Sequence, residues 1–138
     1  MELKDIVEPE AVFSRLNATS KKHLLQELAQ RAEDILGVKA RVAFEAMLER
    51  ERLGATGMGN GVAIPHARIA GLKGITGIFA ALQKPIEFEA VDDEPVDLVF
   101  ALLAPEDAGA DHLRALARVS RRMRDASVYA KLRSADLA

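Results

Sequence analysis

A chain of 138 residues, 49% apolar and 29% charged, has the makings of one soluble domain with a real core. Its formal net charge of −2 supplies no positive field for nucleic acid, and its lack of cysteine excludes disulfides and thiolate metal sites. No apolar run approaches the roughly 20 residues that cross a bilayer, and Met1-Glu2-Leu3-Lys4-Asp5 lacks the basic-then-apolar pattern of a secretory signal, so a cytoplasmic location is expected.

Leu3, Ile6 and Val7 are the possible anchors of a polar opening segment closed by Pro9. Ala11 to Leu16 reads as a strand, and Asn17-Ala18-Thr19-Ser20 as a turn whose last residue suits a helix N-cap. From Lys21 to Leu36, the residues Leu24, Leu25, Leu28, Ala32, Ile35 and Leu36 share one helical face, and Gly37 suits the left-handed stop. A second helix is expected from about Lys39 to Arg52, lined by Val42, Phe44, Met47 and Leu48. A glycine-rich loop follows, then a short strand Val62-Ala63-Ile64 stopped by Pro65. Gly71 to Gly74 is a turn, and Ile75 to Leu82 a buried strand; Pro85 is expected to break the chain, with Ile86 and Phe88 alternating against Glu87 and Glu89. Asp92 to Pro95 reads as a solvated turn. Val96 to Ala104 is apolar on both alternating faces, as in a central strand covered on both sides. After the Pro105–Ala110 loop, Asp111 is placed as the cap of a helix starting at His112, with Leu113, Leu116, Ala117, Val119 and Met123 buried. Arg114, Arg118, Arg121, Arg122 and Arg124 decorate its solvated side, and a last short helix is expected over residues 127–133. Helices and strands mixed around one fully buried strand argue an α/β domain with helices on both faces of the sheet.

The stretch from Leu53 to Arg68 is the least like ordinary scaffold. Gly57, Gly59 and Gly61 lie within five residues, and a proline then delivers His66. Glycines free backbone amides to face an anion in a concave nest. A neutral imidazole, with a reference pKa of about 6.5, is a competent nucleophile at neutral pH. That order of loop, strand, proline and histidine suits a histidine that accepts a phosphoryl group, although a flexible turn beside a surface histidine is the plain alternative. His112 is either a polar helix-start residue or a second imidazole for holding an anion. Arg50 is either a favourable helix-end cation or a guanidinium that pairs with phosphate, and it also keeps a nearby imidazole neutral. Met58 at the loop tip is either a core side chain or a soft contact for partners. His23, beside Lys21 and Lys22, carries no expected role. A metal site has no support, since there is no thiol and no His-x-x-x-His, and neither a Gly-x-Ser-x-Gly nor a phosphate-binding Gly-Lys-Ser/Thr motif is present.

The chain resembles the phosphotransferase-system IIA proteins of the fructose/mannitol type, in particular their nitrogen-regulatory branch. The resemblance spans nearly the whole length and is carried by three segments. These are Leu48-Glu49-Arg50-Glu51-Arg52-Leu53-Gly54-Ala55-Thr56-Gly57, Gly59-Asn60-Gly61-Val62-Ala63-Ile64-Pro65-His66, and Asp97-Leu98-Val99-Phe100 with the later His112-Leu113. It implies one α/β domain over residues 1–138 with a mixed sheet between helices. It also implies His66 as phosphoryl acceptor on its tele nitrogen, with His112 and Arg50 as active-site partners. The loop residues Thr56, Gly57, Gly59, Asn60 and Gly61 would hold phosphoryl oxygens. No cofactor is implied. The donor would be a small phosphohistidine carrier protein charged from phosphoenolpyruvate through a first enzyme, and regulatory protein targets would read the phosphorylation state. Absence of an appended IIB, IIC or carrier domain in the sequence, and the Thr56–Gly61 loop itself, lean toward the regulatory branch.

The expected reaction is reversible phosphoryl transfer between histidines of two proteins, driven by positioning and charge stabilisation. Val62, Met58, Ile69 and Leu72 are the candidates for the apolar rim of a transient interface. Two other functions compete within the phosphotransferase system or near it: a stand-alone sugar-specific IIA that passes phosphate to a IIB domain, and a pure interaction module in which His66 is a relic. A two-histidine phosphodiester hydrolase is the rival from a different enzyme class.

Overall fold

The computed structural model describes residues 11–88 and 94–125. The opening anchors, the start of the Asp92–Pro95 turn and the expected helix at 127–133 lie outside the described residues. Strand β1 (Val12–Leu16) leads into helices α1 (Lys21–Leu36) and α2 (Ala40–Leu53). Short strands β2 (Gly57–Gly59), β3 (Val62–Ala63) and β4 (His66–Ile69) follow, then β5 (Thr76–Ile86), β6 (Val96–Pro105) and helix α3 (Ala110–Arg124). The caps of α1 are those expected: the Ser20 side chain accepts from the His23 amide, and Gly37 ends the helix at φ 76° with its N–H on the Glu33 carbonyl. His23 also accepts the N–H of Thr19, the residue before the cap, on Nδ1 at 3.1 Å, which ties the entering chain to the first turn.

The sheet is mixed, in the order β1-β5-β6-β3-β2, with β4 also paired to β6. β6 runs antiparallel to β5 and parallel to both β3 and β4, which lie one after the other along the same side of it. Every residue of β6 from Leu98 to Ala104 is buried. Its alternation sorts the core into two layers. Val99, Ala101 and Leu103 meet Leu24, Leu25 and Leu28 of α1 and Met47 of α2. Leu98, Phe100 and Leu102 meet Ala115, Val119 and Met123 of α3. Helices thus cover both faces, as the apolar run of β6 predicts.

Several local expectations are corrected. Pro85 does not end its strand; β5 runs through it, with the register to β6 shifting between Ala81 and Ile86, where an irregularity tolerates the missing N–H. Val42 is exposed on α2, and the buried positions are Ala43, Met47 and Glu51. On α3, Val119 and Met123 are buried as expected, but Leu113 and Ala117 are exposed, and His112 and Ala115 complete the buried stripe. Asp111 is not the cap of α3: Gly109 is, with no side-chain cap bond, while Asp111 pairs with Arg114 in the first turn.

Candidate functional site

The glycine-rich stretch is a β-hairpin. Gly59 pairs with Val62, and the two residues between them, Asn60 and Gly61, have φ of 58° and 79°. Positive φ at both central positions is what a two-residue hairpin turn requires, and Asn-Gly is the sequence that tolerates it best. Thr56, just before the hairpin, is buried and committed to Glu51: its N–H donates to Oε1 at 3.1 Å and its hydroxyl to Oε2. Glu51 is only 7% exposed and is also paired with Lys21 Nζ at 2.9 Å. Lys21 in turn stands over the Phe88 ring at 4.7 Å. Glu51 thus ties the end of α2 to the start of α1 and to the residue before the hairpin, a role that its place in a charged helix end does not signal.

A chain of hydrogen bonds runs from this brace to His66. The Thr56 carbonyl accepts the Ile64 N–H at 3.1 Å, and the Ile64 carbonyl lies 2.8 Å from His66 Nδ1. A carbonyl only accepts, so Nδ1 carries the proton and Nε2 holds the lone pair. Pro65 interrupts the strand, its carbonyl accepts the Leu102 N–H, and His66 opens β4 in register with Leu102. Ala67 and Ile69 enter the core layer under α1 and α2, so the alternation of β4 turns His66 and Arg68 the other way.

Arg50, in the last turn of α2, donates from Nε to His66 Nε2 at 3.1 Å and from Nη1 to the Gly54 carbonyl at 2.8 Å. His112 stands edge-on to His66, ring centroids 5.9 Å apart. Arg50, His66 and His112 therefore converge on one open cleft of about 450 Å³, whose lining also includes Ala46, Glu49, Leu53, Arg68, Leu113 and Leu116. Thr56, Gly57, Gly59, Asn60 and Gly61 do not line this cleft. A second hollow, of about 350 Å³ between Leu36 and the Gly71–Thr76 turn, has Lys73 as its one charged lining residue and contains no histidine.

Both imidazoles are biased toward the neutral form. Burial is the main cause for His66 and pushes its pKa below the ordinary 6.5; the Ile64 carbonyl pulls it back up, Arg50 lowers it and Glu51 raises it. For His112, burial again leads, followed by the neighbouring His66 and Arg68, all lowering. A neutral His66 with its lone pair on Nε2 is a nucleophile ready for use.

Arg68 was not singled out from the sequence, although His66 and Arg68 lie two apart on a strand and so share a face. The apolar rim also differs from expectation. Val62 and Ile69 are core residues at 1% exposure, Leu72 lines the other hollow, and Met58 packs against the α3 layer. The exposed apolar groups beside the cleft are Leu53 (80%) and Leu113 (63%), with Leu116 between helix and core.

Comparison with known proteins supplies the family. Residues 5–137 match the model described as phosphoenolpyruvate-dependent sugar phosphotransferase system, EIIA 2. The chain belongs to this EIIA type-2 family. A nitrogen regulatory protein of Bradyrhizobium diazoefficiens is 53% identical over 97% of this chain and 88% of its own length. One from Escherichia coli is 40% identical over 98% of this chain and 83% of its own. The crystal structure of the nitrogen regulatory protein IIA-Ntr from Neisseria meningitidis superposes with a TM-score of 0.90 at 36% identity, covering 96% of this chain and 90% of that one. The protein is thus a phosphotransferase-system component of the EIIA type, similar to nitrogen regulatory proteins. Among the described residues no helix is long and apolar enough to cross a membrane.

Proposed function

We propose that this EIIA-type protein accepts a phosphoryl group on His66 Nε2 from a small phosphohistidine carrier protein, and that its phosphorylation state governs binding of regulatory partners. The observation that carries the proposal is the tautomer of His66: Nδ1–H is engaged by the Ile64 carbonyl, which leaves the Nε2 lone pair facing Arg50 in the cleft. In the transfer, the lone pair attacks phosphorus in line, the new Nε2–P bond forms as the donor's N–P bond breaks, and the donor imidazole leaves with that electron pair. No proton need move, because Nδ1–H stays on its carbonyl and stabilises the positive charge that develops on the ring. Arg50 yields its bond to Nε2 as the P–N bond forms, and its guanidinium turns to an equatorial oxygen. His112 donates Nε2–H to another oxygen. In this reading the stretch before the hairpin acts at a distance, through the Thr56 carbonyl that accepts the Ile64 N–H and so fixes the carbonyl on His66.

The donor must dock and leave, so a small apolar rim suffices. Leu53 and Leu113, on two different helices either side of the cleft, supply it. Adding a group of about −1.5 to −2 charge between them changes what that surface binds.

The test is to supply phosphoenolpyruvate, the first enzyme and the carrier, and to follow acid-labile label on this protein. Wild type is labelled and His66→Ala is not. Label persisting in His66→Ala, or turnover of a phosphodiester without a stable phosphoprotein, overturns the proposal. Partner binding is tested by presenting phosphorylated and unphosphorylated protein side by side; identical binding by the two forms removes the regulatory half.

A further inference from the structure

Arg68 and His112 form a unit built from the same parts as Arg50 and His66. Arg68 Nε donates to His112 Nδ1 at 3.1 Å, and its Nη2 donates to the Gly109 carbonyl at 3.3 Å. Gly109 is the N-cap of α3, at φ 57° and with no side-chain cap bond. The guanidinium therefore joins the last parallel segment of the sheet edge to the first turn of a helix on the α3 face. A guanidinium only donates, so His112 Nδ1 holds a lone pair and the neutral ring carries its proton on Nε2. That Nε2 is buried, His112 itself being 6% exposed, and it has no hydrogen-bond partner among the described residues. A buried N–H left without an acceptor costs free energy unless a ligand completes it.

We infer that Arg68 is a positioning residue for phosphoryl transfer, holding His112 in the Nε2–H form and in place as a hydrogen-bond donor to the transferring group. The inference rests on the acceptor role proposed for His66, since it names what completes the empty donor beside that ring. Without Arg68, Nδ1 is open to a proton and the ring is free to turn. The charged and titratable groups around His112 are His66 and Arg68 from β4, Arg50 and Glu49 from α2, and Asp111 and Arg114 from its own helix. Among the described residues, Arg68 is the hydrogen-bond partner of its Nδ1.

The experiment uses Arg68→Met, which removes the donors, and Arg68→Lys, which keeps the charge without the planar fork. Two quantities are read: the rate of label transfer from the phosphorylated carrier, split into kcat and KM, and the titration of the His112 ring by nitrogen NMR in the unphosphorylated protein. In Arg68→Met, kcat should fall about ten- to a hundredfold, the range known for partners that orient metal-bound imidazoles. KM should hold, and His112 should titrate at higher pH with a mixed tautomer. Arg68→Lys should restore part of the rate and part of the titration shift. An Arg68→Met protein with unchanged kcat, or with the wild-type His112 titration and tautomer, overturns the inference. So does an Arg68→Lys protein with the full wild-type rate. The titration needs no phosphorylation, so it stands or falls independently of the His66 acceptor; loss of that acceptor role would appear as label retained in His66→Ala.

Discussion

The two arginine–histidine units of the cleft are chemically alike and electronically opposite. In each, a guanidinium Nε donates to a ring nitrogen at 3.1 Å and a second guanidinium nitrogen donates to a backbone carbonyl, Gly54 in one case and Gly109 in the other. In the Arg50 unit the guanidinium meets Nε2, and a carbonyl claims the Nδ1 proton. In the Arg68 unit the guanidinium meets Nδ1, and Nε2–H is left over. One ring thereby presents a lone pair and the other a proton. The difference shows that a histidine's part in a site is set by which nitrogen its neighbours occupy, more than by its being histidine.

Replacing His112 by alanine tests the donor half of that contrast and has the largest expected effect. Label transfer to His66 should slow by about 10²–10³-fold, as on removal of one donor to a developing oxyanion, while the label remains acid-labile and on His66. A His112→Ala protein that transfers at full speed would merge the two units into one. Second in size, Glu51→Ala should sharpen the contrast by striking one unit only. It leaves Lys21 and the Thr56 amide without their buried partner and should cost about 3 kcal/mol in denaturant unfolding, the low end for breaking a buried pair because Lys21 keeps partial access to water. In the folded fraction, NMR should show His66 Nδ1–H losing its fixed tautomer while His112 keeps its own.

Acidification tests both rings together, with a smaller effect. Each imidazole has a folded-state pKa below its ordinary 6.5, so the unfolded chain binds more protons than the folded one at acid pH. Their contribution to stability is fully present above pH 6.5 and is lost as pH falls through the folded-state values. Unfolding followed against pH should therefore show a steeper acid slope in wild type than in a His66→Asn/His112→Asn protein. Equal slopes would mean that neither ring is held neutral. Smallest of all is Leu53→Ser at the rim. At 80% exposure it should change stability by no more than about 0.5 kcal/mol, yet raise KM for the phosphorylated carrier.

Much of the scaffold is legible in the chain because its signals are local. Ser20 and Gly37 bound α1 through bonds within four residues, and the β6 run announces burial on both sides through its composition alone. The site is less legible because its contacts are not local. Arg68 meets His112 only once β4 and the start of α3 are brought to the same end of β6, and nothing within a helical or strand window records that. Glu51 looks like one more charge in a mixed helix end until the fold buries it against Lys21 and Thr56. The glycines carry two signals at once. Gly57, Gly59 and Gly61 suggest an anion nest, while the Asn60-Gly61 pair between short apolar runs is a hairpin signal, and the structure folds it as one. Leu113 begins an apolar spacing that predicts a core place, but His112, one position earlier, takes the buried place instead.

The parallel pairing of β4 with β6 has a temporal consequence. Among the described strands β4 has no neighbour other than β6, which arrives much later in the chain, and such distant parallel contacts close late because the loop entropy must be met first. A partly assembled molecule can therefore own its helices and its hairpin while still lacking the Arg50, His66 and His112 cluster proposed to receive phosphate. If the proposed acceptor role holds, competence for labelling serves as a clock for the final docking event.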